Sequence, residues 1–301
     1  MSLKILQFGA TGQLARELLD RRTDGVEIRA LSRADVDLAD ADAVSRAVGE
    51  AGELDLVINA AAYTAVDKAE SEPDLAYAVN ARAPRAMACA CQARGAPLVQ
   101  VSTDMVFSGA KDGAYAEDDP VGPLHVYGAS KLAGEDAVLD NCDRAIVLRV
   151  SWLFSAYGQN FLQAMLRLGQ TQPVLKVVAD QRARPTASGD VAAFVLSQAP
   201  RLAGLPAGAA EWGLLHFANA GVATRFEMAE AIFAAAWPDR PPPAMEPVPT
   251  SAFPTPARRA LNAELDCSRL GAVFGVEPRP WREPLAEVVA KIVDANNRKV
   301  A

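Results

Sequence analysis

Short apolar runs alternate with longer amphipathic segments along the first half of the chain. The runs are rich in Val, Ile and Leu and are bounded by Gly, Asp or Pro, which is typical of buried strands. The predicted strands are Leu3–Phe8, Val26–Leu31, Leu54–Asn59, Pro97–Val101 and Ala145–Val150. The segments between them place apolar residues at helical spacing and predict the helices Gln13–Arg21, Asp40–Ala51, Pro73–Arg94 and Tyr127–Leu139. This alternation predicts an α/β fold, a Rossmann-like doubly wound parallel sheet covered by helices on both faces.

The alternation weakens after residue 150, where we predict a smaller C-terminal substrate-binding domain. Residues 1–150 would form the nucleotide-binding domain, with later segments such as 176–200 returning to it, and residues 151–301 would mainly bind substrate. The predicted helices here are Asn160–Leu168, Ser188–Gln198 and Thr224–Trp237, and the predicted strands are Val174–Val178 and Leu214–Ala218. The proline-dense segment Pro238–Pro256 cannot form a continuous helix. Its apolar residues favour an ordered loop packed on the body over a flexible linker.

Composition excludes several classes of function. The 301 residues carry 30 basic and 37 acidic side chains, a net charge of −7, and the basic residues are scattered rather than clustered. We therefore expect no nucleic-acid partner and no binding to a membrane surface. No apolar run approaches the roughly 20 residues of a membrane span, and the first residues have no signal-peptide pattern. A cytoplasmic protein is expected, with reduced thiols at Cys89, Cys91, Cys142 and Cys267 and no metal ligands at zinc spacing.

A glycine-rich turn follows the first predicted strand. Gly9 and Gly12 lie in the segment Gly9-Ala10-Thr11-Gly12-Gln13-Leu14-Ala15, which opens the first helix. Gly9 permits a tight turn, and Gly12 lets the backbone approach a pyrophosphate at the helix N-terminus. The spacing alone is a weak signal, but its position between a strand and a helix predicts a dinucleotide site.

The end of the second predicted strand bears on the choice of cofactor. An acidic residue at this position would bind the ribose 2′-hydroxyl of NAD, whereas the chain has Arg33. A guanidinium group suits a 2′-phosphate, so the sequence favours NADPH over NADH. Asp37 and Leu38 follow at positions that would flank the adenine.

Candidate catalytic groups lie at the predicted end of the fourth strand and on the helix that follows. Tyr127 and Lys131 are four residues apart, so both side chains share one helix face. A nearby ammonium is expected to lower the pKa of the phenol toward a useful range, and Lys131 could also bind the nicotinamide ribose. Ser102-Thr103-Asp104 would place a hydroxyl at the sheet edge where such folds bind ligands.

Together these segments resemble the extended short-chain dehydrogenase/reductase superfamily, and longer motifs resemble the dTDP-4-dehydrorhamnose reductase family. The motifs that carry this resemblance are Asn59 through Glu70, Ser102 through Phe107, Tyr127 through Glu135, Arg149-Val150-Ser151-Trp152, Asp180-Gln181 with Pro185-Thr186, and Pro249 through Pro256. They span nearly the whole chain. The resemblance implies NAD(P)H-dependent reduction of dTDP-4-dehydro-L-rhamnose to dTDP-L-rhamnose, the last step of dTDP-rhamnose biosynthesis.

The resemblance also implies residue roles. Tyr127 would donate the proton, Lys131 would assist it, and Thr103 would orient the sugar carbonyl. The implied cofactor contacts are Gly9, Thr11, Gly12, Gln13, Leu14, Asp37, Leu38, Ala62, Tyr63, Thr64, Tyr127 and Lys131, to which the position of Arg33 adds a further cofactor contact; the implied sugar contacts are Thr103, Asp104 and Trp152. Some relatives are thought to dimerise around Mg²⁺, so a monomer or a homodimer is compatible with the sequence, which offers no recognisable Mg²⁺ ligands.

Two other functions use the same motifs. A sugar-nucleotide 4-epimerase would employ the same Thr, Tyr and Lys but would keep NAD bound through a turnover. A non-catalytic regulatory subunit, like that of eukaryotic methionine adenosyltransferase, would bind a partner enzyme. The segments Thr64–Asp67 and Pro249–Pro256 disfavour the epimerase, and the intact catalytic set disfavours the regulatory subunit.

Overall fold

A computed structural model describes residues 2–300 of the chain, with the side chains of residues 2–295. The strands are β1 (Leu3–Phe8), β2 (Val26–Leu31), β3 (Leu56–Asn59), β4 (Leu98–Thr103), β5 (Ala145–Val150), β6 (Leu153–Phe154), β7 (Val174–Val178), β8 (Arg182–Ala183), β9 (Thr186–Ala187), β10 (Gly213–Phe217), β11 (Ala223–Thr224), β12 (Ala244–Val248) and β13 (Asn262–Ala263). The α-helices are α1 (Gln13–Asp20), α2 (Ala41–Gly49), α3 (Val66–Ala69), α4 (Pro73–Tyr77), α5 (Ala83–Arg94), α6 (Val126–Leu139), α7 (Phe161–Thr171), α8 (Ser188–Gly204), α9 (Arg225–Ala236), α10 (Ser268–Phe274) and α11 (Arg282–Val300).

Six strands form the central sheet in the order β10-β5-β4-β3-β1-β2. All of its strand pairs are parallel, which confirms the predicted Rossmann-like fold. The chain runs from β1 outward to β2 and then returns to β3 on the other side of β1, so the strand order reverses between β1 and β3. Ligands bind at the carboxyl ends of the strands beside such a reversal.

One predicted helix is interrupted in the structure. The segment predicted as Pro73–Arg94 forms α4, a π-helical turn at Ala78–Arg82, and α5. Pro84 lies in the first turn of α5 and has no N–H to donate to the carbonyl of Asn80, four residues earlier. The wider turn therefore occurs where the regular helix hydrogen bond cannot form. This turn has a role in the cleft described below.

A second hydrophobic core underlies the C-terminal part of the chain. Side chains from β7, α7, α9 and α11 pack together there, among them Leu166, Leu175, Ile232 and Leu285. The proline-rich segment predicted as a loop contains β12, which pairs in parallel with β7, so the prediction missed a strand. Met245 of β12 packs against this core, as expected, whereas Phe253 is 46% exposed. Because the backbone of β7 pairs with that of β12, β12 is held extended although its residues have low strand propensity.

Two later segments pack with the N-terminal sheet. Strand β10 pairs with β5 at the sheet edge, and α8 packs against α1. Within the segment 176–200 predicted to return, α8 does so, while β7 pairs with β12 in its own two-stranded sheet. The division into domains at residue 150 stays a prediction. Among the described residues, no helix has both the length and the apolar character needed to cross a membrane.

Candidate active site

A cavity of about 1260 Å³ opens at the carboxyl ends of the central strands. It extends from the turn after β1, past the ends of β3 and β4, to Trp152 and α9. Every residue that the sequence suggested for the site lies in its wall: Gly9, Thr11, Gly12, Gln13, Leu14, Arg33, Asp37, Leu38, Ala62, Tyr63, Thr64, Thr103, Asp104, Tyr127, Lys131 and Trp152. The fold thus brings together segments that are far apart in the sequence.

The turn after β1 has the geometry of an anion site. Gly9 has a φ of 96°, and a Cβ atom there would lie 3.2 Å from the Cβ of Ala61 and 3.3 Å from the carbonyl oxygen of Ala60. Helix α1 begins at Gln13 with no side-chain cap and no acidic residue in its first turn. Its free N–H groups therefore remain available to a phosphate, which the helix dipole also attracts. These features fit the pyrophosphate of a dinucleotide.

The adenosine end of the cavity is open to solvent. Arg33 and Asp37 are exposed, and Leu38 is partly buried. Asp35 accepts hydrogen bonds from the backbone N–H and the hydroxyl of Ser32, at 2.8 and 2.6 Å. This small turn presents Arg33 at the solvent-exposed end of the cavity.

The π-helical turn positions one wall of the cavity. The side-chain oxygen of Asn80 accepts a hydrogen bond from the backbone N–H of Tyr63 at 2.8 Å. Its amide nitrogen donates to the Tyr63 carbonyl at 3.1 Å and to the Ser130 hydroxyl at 3.0 Å. Asn80 is 1% exposed, so these bonds fix the segment after β3 against α6. No sequence motif indicates this role of Asn80, because it depends on the irregular turn.

The candidate catalytic hydroxyls meet at the end of β4. Thr103 donates to Asp104 at 3.0 Å, and Ser151 donates to the other carboxylate oxygen at 2.7 Å. The phenol of Tyr127 lies within reach of the Thr103 side chain. A Cβ at position 128 would lie 2.3 Å from the Met105 carbonyl oxygen. Glycine at that position is what allows α6 to bring Tyr127 against Thr103.

The protonation of Tyr127 differs from the sequence-based expectation. Burial raises the pKa of its phenol, and the negative charge of Asp104 raises it further, against the hydrogen bond with Thr103. The predicted lowering of this pKa by Lys131 is therefore wrong for this cleft. The phenol is fully protonated at neutral pH, which is the state that a proton donor requires.

Lys131 is buried one helical turn after Tyr127. Its ammonium donates to the Val101 carbonyl at 2.7 Å. Burial lowers the pKa of Lys131 to about 8, although the negative charge of Glu135 opposes this shift. The lysine is therefore mostly charged at pH 7, with little margin on the alkaline side.

A buried ion pair lies behind these residues. Glu135, one turn after Lys131, binds Arg149 of β5 at 2.6 Å, and it also accepts a hydrogen bond from Ser102. The side chains of the pair are 3% and 1% exposed. His216 of β10 lies 3.4 Å from Arg149, and burial together with this positive charge lowers the pKa of His216 to about 3. The histidine is neutral, so the charges of Glu135 and Arg149 balance each other within this network.

Trp152 has an unusual backbone conformation. Its φ is 40°, in the region that favours glycine. The indole ring is stacked by the guanidinium of Arg225, whose Cζ lies 3.5 Å from the ring centroid. Arg225 also lines the cavity. Sequence reasoning missed this residue, because it belongs to no motif and lies 73 positions from its stacking partner.

Whether the implied Mg²⁺ could bind depends on which side chains are available as ligands. Within the described part of the chain, no group of three or more His, Cys, Asp or Glu side chains could hold a metal ion. The acidic residue closest to the catalytic groups, Asp104, already accepts from Thr103 and Ser151. The described residues of one chain do not form a magnesium site by themselves, and no step below involves one.

The parallel sheet, the glycine turn and the Tyr127–Lys131 pair define an NAD(P)H-dependent oxidoreductase with the extended short-chain dehydrogenase/reductase fold. Residues 3–293 match the family described as RmlD substrate binding domain. The chain is 43% identical over 288 residues to the dTDP-4-dehydrorhamnose reductase of Streptomyces griseus, covering 93% of this chain and 90% of that protein. It is 39% identical over 290 residues to that of Sinorhizobium fredii, covering 95% and 97%. The chain belongs to the dTDP-4-dehydrorhamnose reductase family.

The fold agrees with a solved structure of the same family. The dTDP-4-dehydrorhamnose reductase of Bacillus anthracis, crystallised in complex with NADP, superposes with a TM-score of 0.88 at 32% identity. The match covers 97% of this chain and all of that one. The NADP bound by this relative is a dinucleotide, which is the kind of ligand that the geometry of the turn after β1 fits.

Proposed function

We propose that this protein reduces dTDP-4-dehydro-L-rhamnose to dTDP-L-rhamnose with NAD(P)H. The observation that supports it best is the single cavity that unites the glycine turn after β1 with Thr103, Tyr127 and Lys131. The substrate class follows from the relatives, which are named as reductases of that sugar nucleotide over nearly the whole chain. The smaller C-terminal region would hold the nucleotide sugar over the cofactor.

In the proposed mechanism, Thr103 and Tyr127 hold the keto oxygen of the sugar between their hydroxyl groups. The nicotinamide, when bound, supplies the hydride that reduces the keto carbon. Tyr127 then gives its proton to the developing alkoxide, and Lys131 would bind the nicotinamide ribose. The glycine turn would hold the pyrophosphate, Arg33, Asp37 and Leu38 the adenosine, and Trp152 and Asp104 the sugar. The protein thus provides positioning and electrostatics.

A turnover assay tests this function. Purified protein with dTDP-4-dehydro-L-rhamnose is expected to oxidise NADPH in equal molar amount to the dTDP-L-rhamnose formed. An epimerase would instead interconvert a sugar nucleotide with no net cofactor oxidation and would carry NAD through purification. A regulatory subunit would show neither activity. Absence of NADPH oxidation with the intact, folded protein would therefore refute the proposal.

Arg33 is expected to make the enzyme prefer NADPH. A charge-assisted hydrogen bond to the 2′-phosphate corresponds to a preference of about ten- to a hundredfold, and the exposure of Arg33 places the expectation near the lower end. The measurement compares kcat/KM for NADPH and NADH in the native protein and in Arg33→Ala. The ratio should approach one in the variant. An unchanged ratio would mean that Arg33 is only a solvated surface residue.

Cofactor affinity is expected to fall in alkaline solution. Burial lowers the pKa of Lys131 to about 8, so the side chain loses its charge as the pH rises through that value. A neutral amine is a weaker hydrogen-bond donor than an ammonium, so the Kd for NADPH should rise about five- to tenfold between about pH 7 and pH 9. Lys131→Arg keeps its charge over this range and should remove the dependence. An equal rise in that variant would assign the titration to another group.

A further inference from the structure

Arg225 presents an uncommitted guanidinium to the cavity. It is the first residue of α9, and its Cζ lies 3.5 Å from the ring centroid of Trp152 and 5.0 Å from that of Phe161. A stacked guanidinium uses its faces for the rings and leaves its N–H groups free at the edge. Residues 2–295 supply no hydrogen bond and no ion pair to these N–H groups. Partly buried donors of this kind are normally matched by a ligand.

The charges around Arg225 favour an anion. Asp104 attracts the guanidinium and Arg259 repels it, so Arg225 lies within electrostatic range of both. The oxygens of Asp104 already accept hydrogen bonds from Thr103 and Ser151. Arg259 also lines the cavity and is paired with Asp67 at 2.8 Å. Arg225 therefore carries a positive charge to which no carboxylate of residues 2–295 is directly hydrogen-bonded.

We propose that Arg225 binds the diphosphate of the nucleotide-sugar substrate. This inference rests on the proposed function, which makes the ligand a nucleoside diphosphate sugar. The reacting carbon of that sugar would lie at Thr103 and Tyr127, and its diphosphate is attached at C1, on the opposite side of the ring. Arg225 lies within electrostatic range of Asp104, the neighbour of Thr103, and of Arg259, and its place in the same cavity wall puts it in reach of a ligand that extends from the catalytic hydroxyls. Bidentate hydrogen bonding to phosphate oxygens suits its planar fork.

Trp152 gains a second role from this arrangement. Its ring lies against the guanidinium, with Cζ 3.5 Å from the ring centroid, and this contact restricts rotation of the donor groups. Burial lowers the pKa of Arg225 to about 10, and the group is still charged at neutral pH. The pair would thus anchor the substrate close to its reacting end, while the nucleobase lies further along the cavity.

The test measures binding of dTDP and of thymidine, which lacks the diphosphate, to the protein saturated with NADP⁺. Arg225→Gln is expected to raise the Kd for dTDP about ten- to a hundredfold and to leave the Kd for thymidine unchanged. Arg225→Lys keeps the charge without the fork and should lie between the two. Arg240→Gln is the matched control, because Arg240 also stacks on a tryptophan, at 3.8 Å from Trp237, but lies outside the cavity. It should behave as the native protein.

Three results would overturn the inference. An unchanged Kd for dTDP together with a raised KM for the keto sugar nucleotide would assign Arg225 to the sugar instead. An equal loss of dTDP and thymidine affinity in both Arg225 variants would mean that the residue only supports Trp152. Failure of the native protein to bind dTDP would also exclude the proposed diphosphate site at Arg225. The proposed function is judged separately, by turnover of the native protein, so dTDP binding without turnover would refute the reaction and leave the diphosphate site intact.

Discussion

Tyr127→Phe is expected to lower kcat by about 10²–10⁴-fold, the usual contribution of a general acid. The phenylalanine ring still fills the space beside Thr103 and Lys131, so only the dissociable proton is lost. Because burial and Asp104 raise the pKa of the phenol, the native group carries this proton throughout the neutral range. Water would have to replace it in a cleft where Tyr127 is 9% exposed. Steady-state kcat and the Kd for NADPH, measured together, separate loss of the acid from loss of the cofactor.

The Kd for NADPH should change little in this variant, since Lys131 and the glycine turn are untouched. Tyr77→Phe provides the matched control, because Tyr77 lies on α4 and outside the cavity wall. Its kcat should equal that of the native protein. If Tyr127→Phe retained near-native turnover, Tyr127 would have no part in proton transfer, and Thr103 would become the next residue to test by substitution.

Two groups of the predicted site residues that line the cavity are local in the chain. The turn at Gly9 and Gly12 depends on residues within one strand–helix junction, and Tyr127 and Lys131 are held on one face by the helix itself. The bounds of β1, β2 and β5 were likewise predicted because short buried runs end at clear turn residues. A local pattern is enough wherever the backbone alone determines which side chains meet.

The parts that were missed depend on contacts between distant segments. β12 is extended because β7 lies beside it, and no local signal overcomes its prolines. Arg225 acquires its position from Trp152, whose φ of 40° has no counterpart in the sequence pattern. The pKa of Tyr127 was predicted in the wrong direction because burial, which depends on the whole fold, outweighs the neighbouring lysine. Tertiary environment determines each of these properties.

The ion pair behind the cavity is the clearest case in which this environment also determines stability. Glu135 accepts from Arg149 at 3.0, 3.1 and 2.6 Å. It lies on α6 four residues after Lys131 and eight after Tyr127, so the pair ties the helix face that carries both residues to β5. The guanidinium also packs over the Phe107 ring, 4.9 Å from its centroid. Both charges are almost completely excluded from solvent, since the side chains of Arg149 and Glu135 are 3% and 1% exposed.

Glu135→Ala is therefore expected to lower the free energy of unfolding by about 3–5 kcal/mol, because the charge of Arg149 is left buried without a partner. Urea unfolding followed by circular dichroism gives this quantity. Glu246→Ala is the control, since its pair with Lys176 is 3.8 Å long and exposed, and it should change stability by less than about 1 kcal/mol. Replacing Glu135 and Arg149 together with methionine should recover most of the loss, because neither member of the pair is left buried without its partner. A double variant as unstable as Glu135→Ala would show that lost packing, rather than the unpaired charge, destabilises the fold.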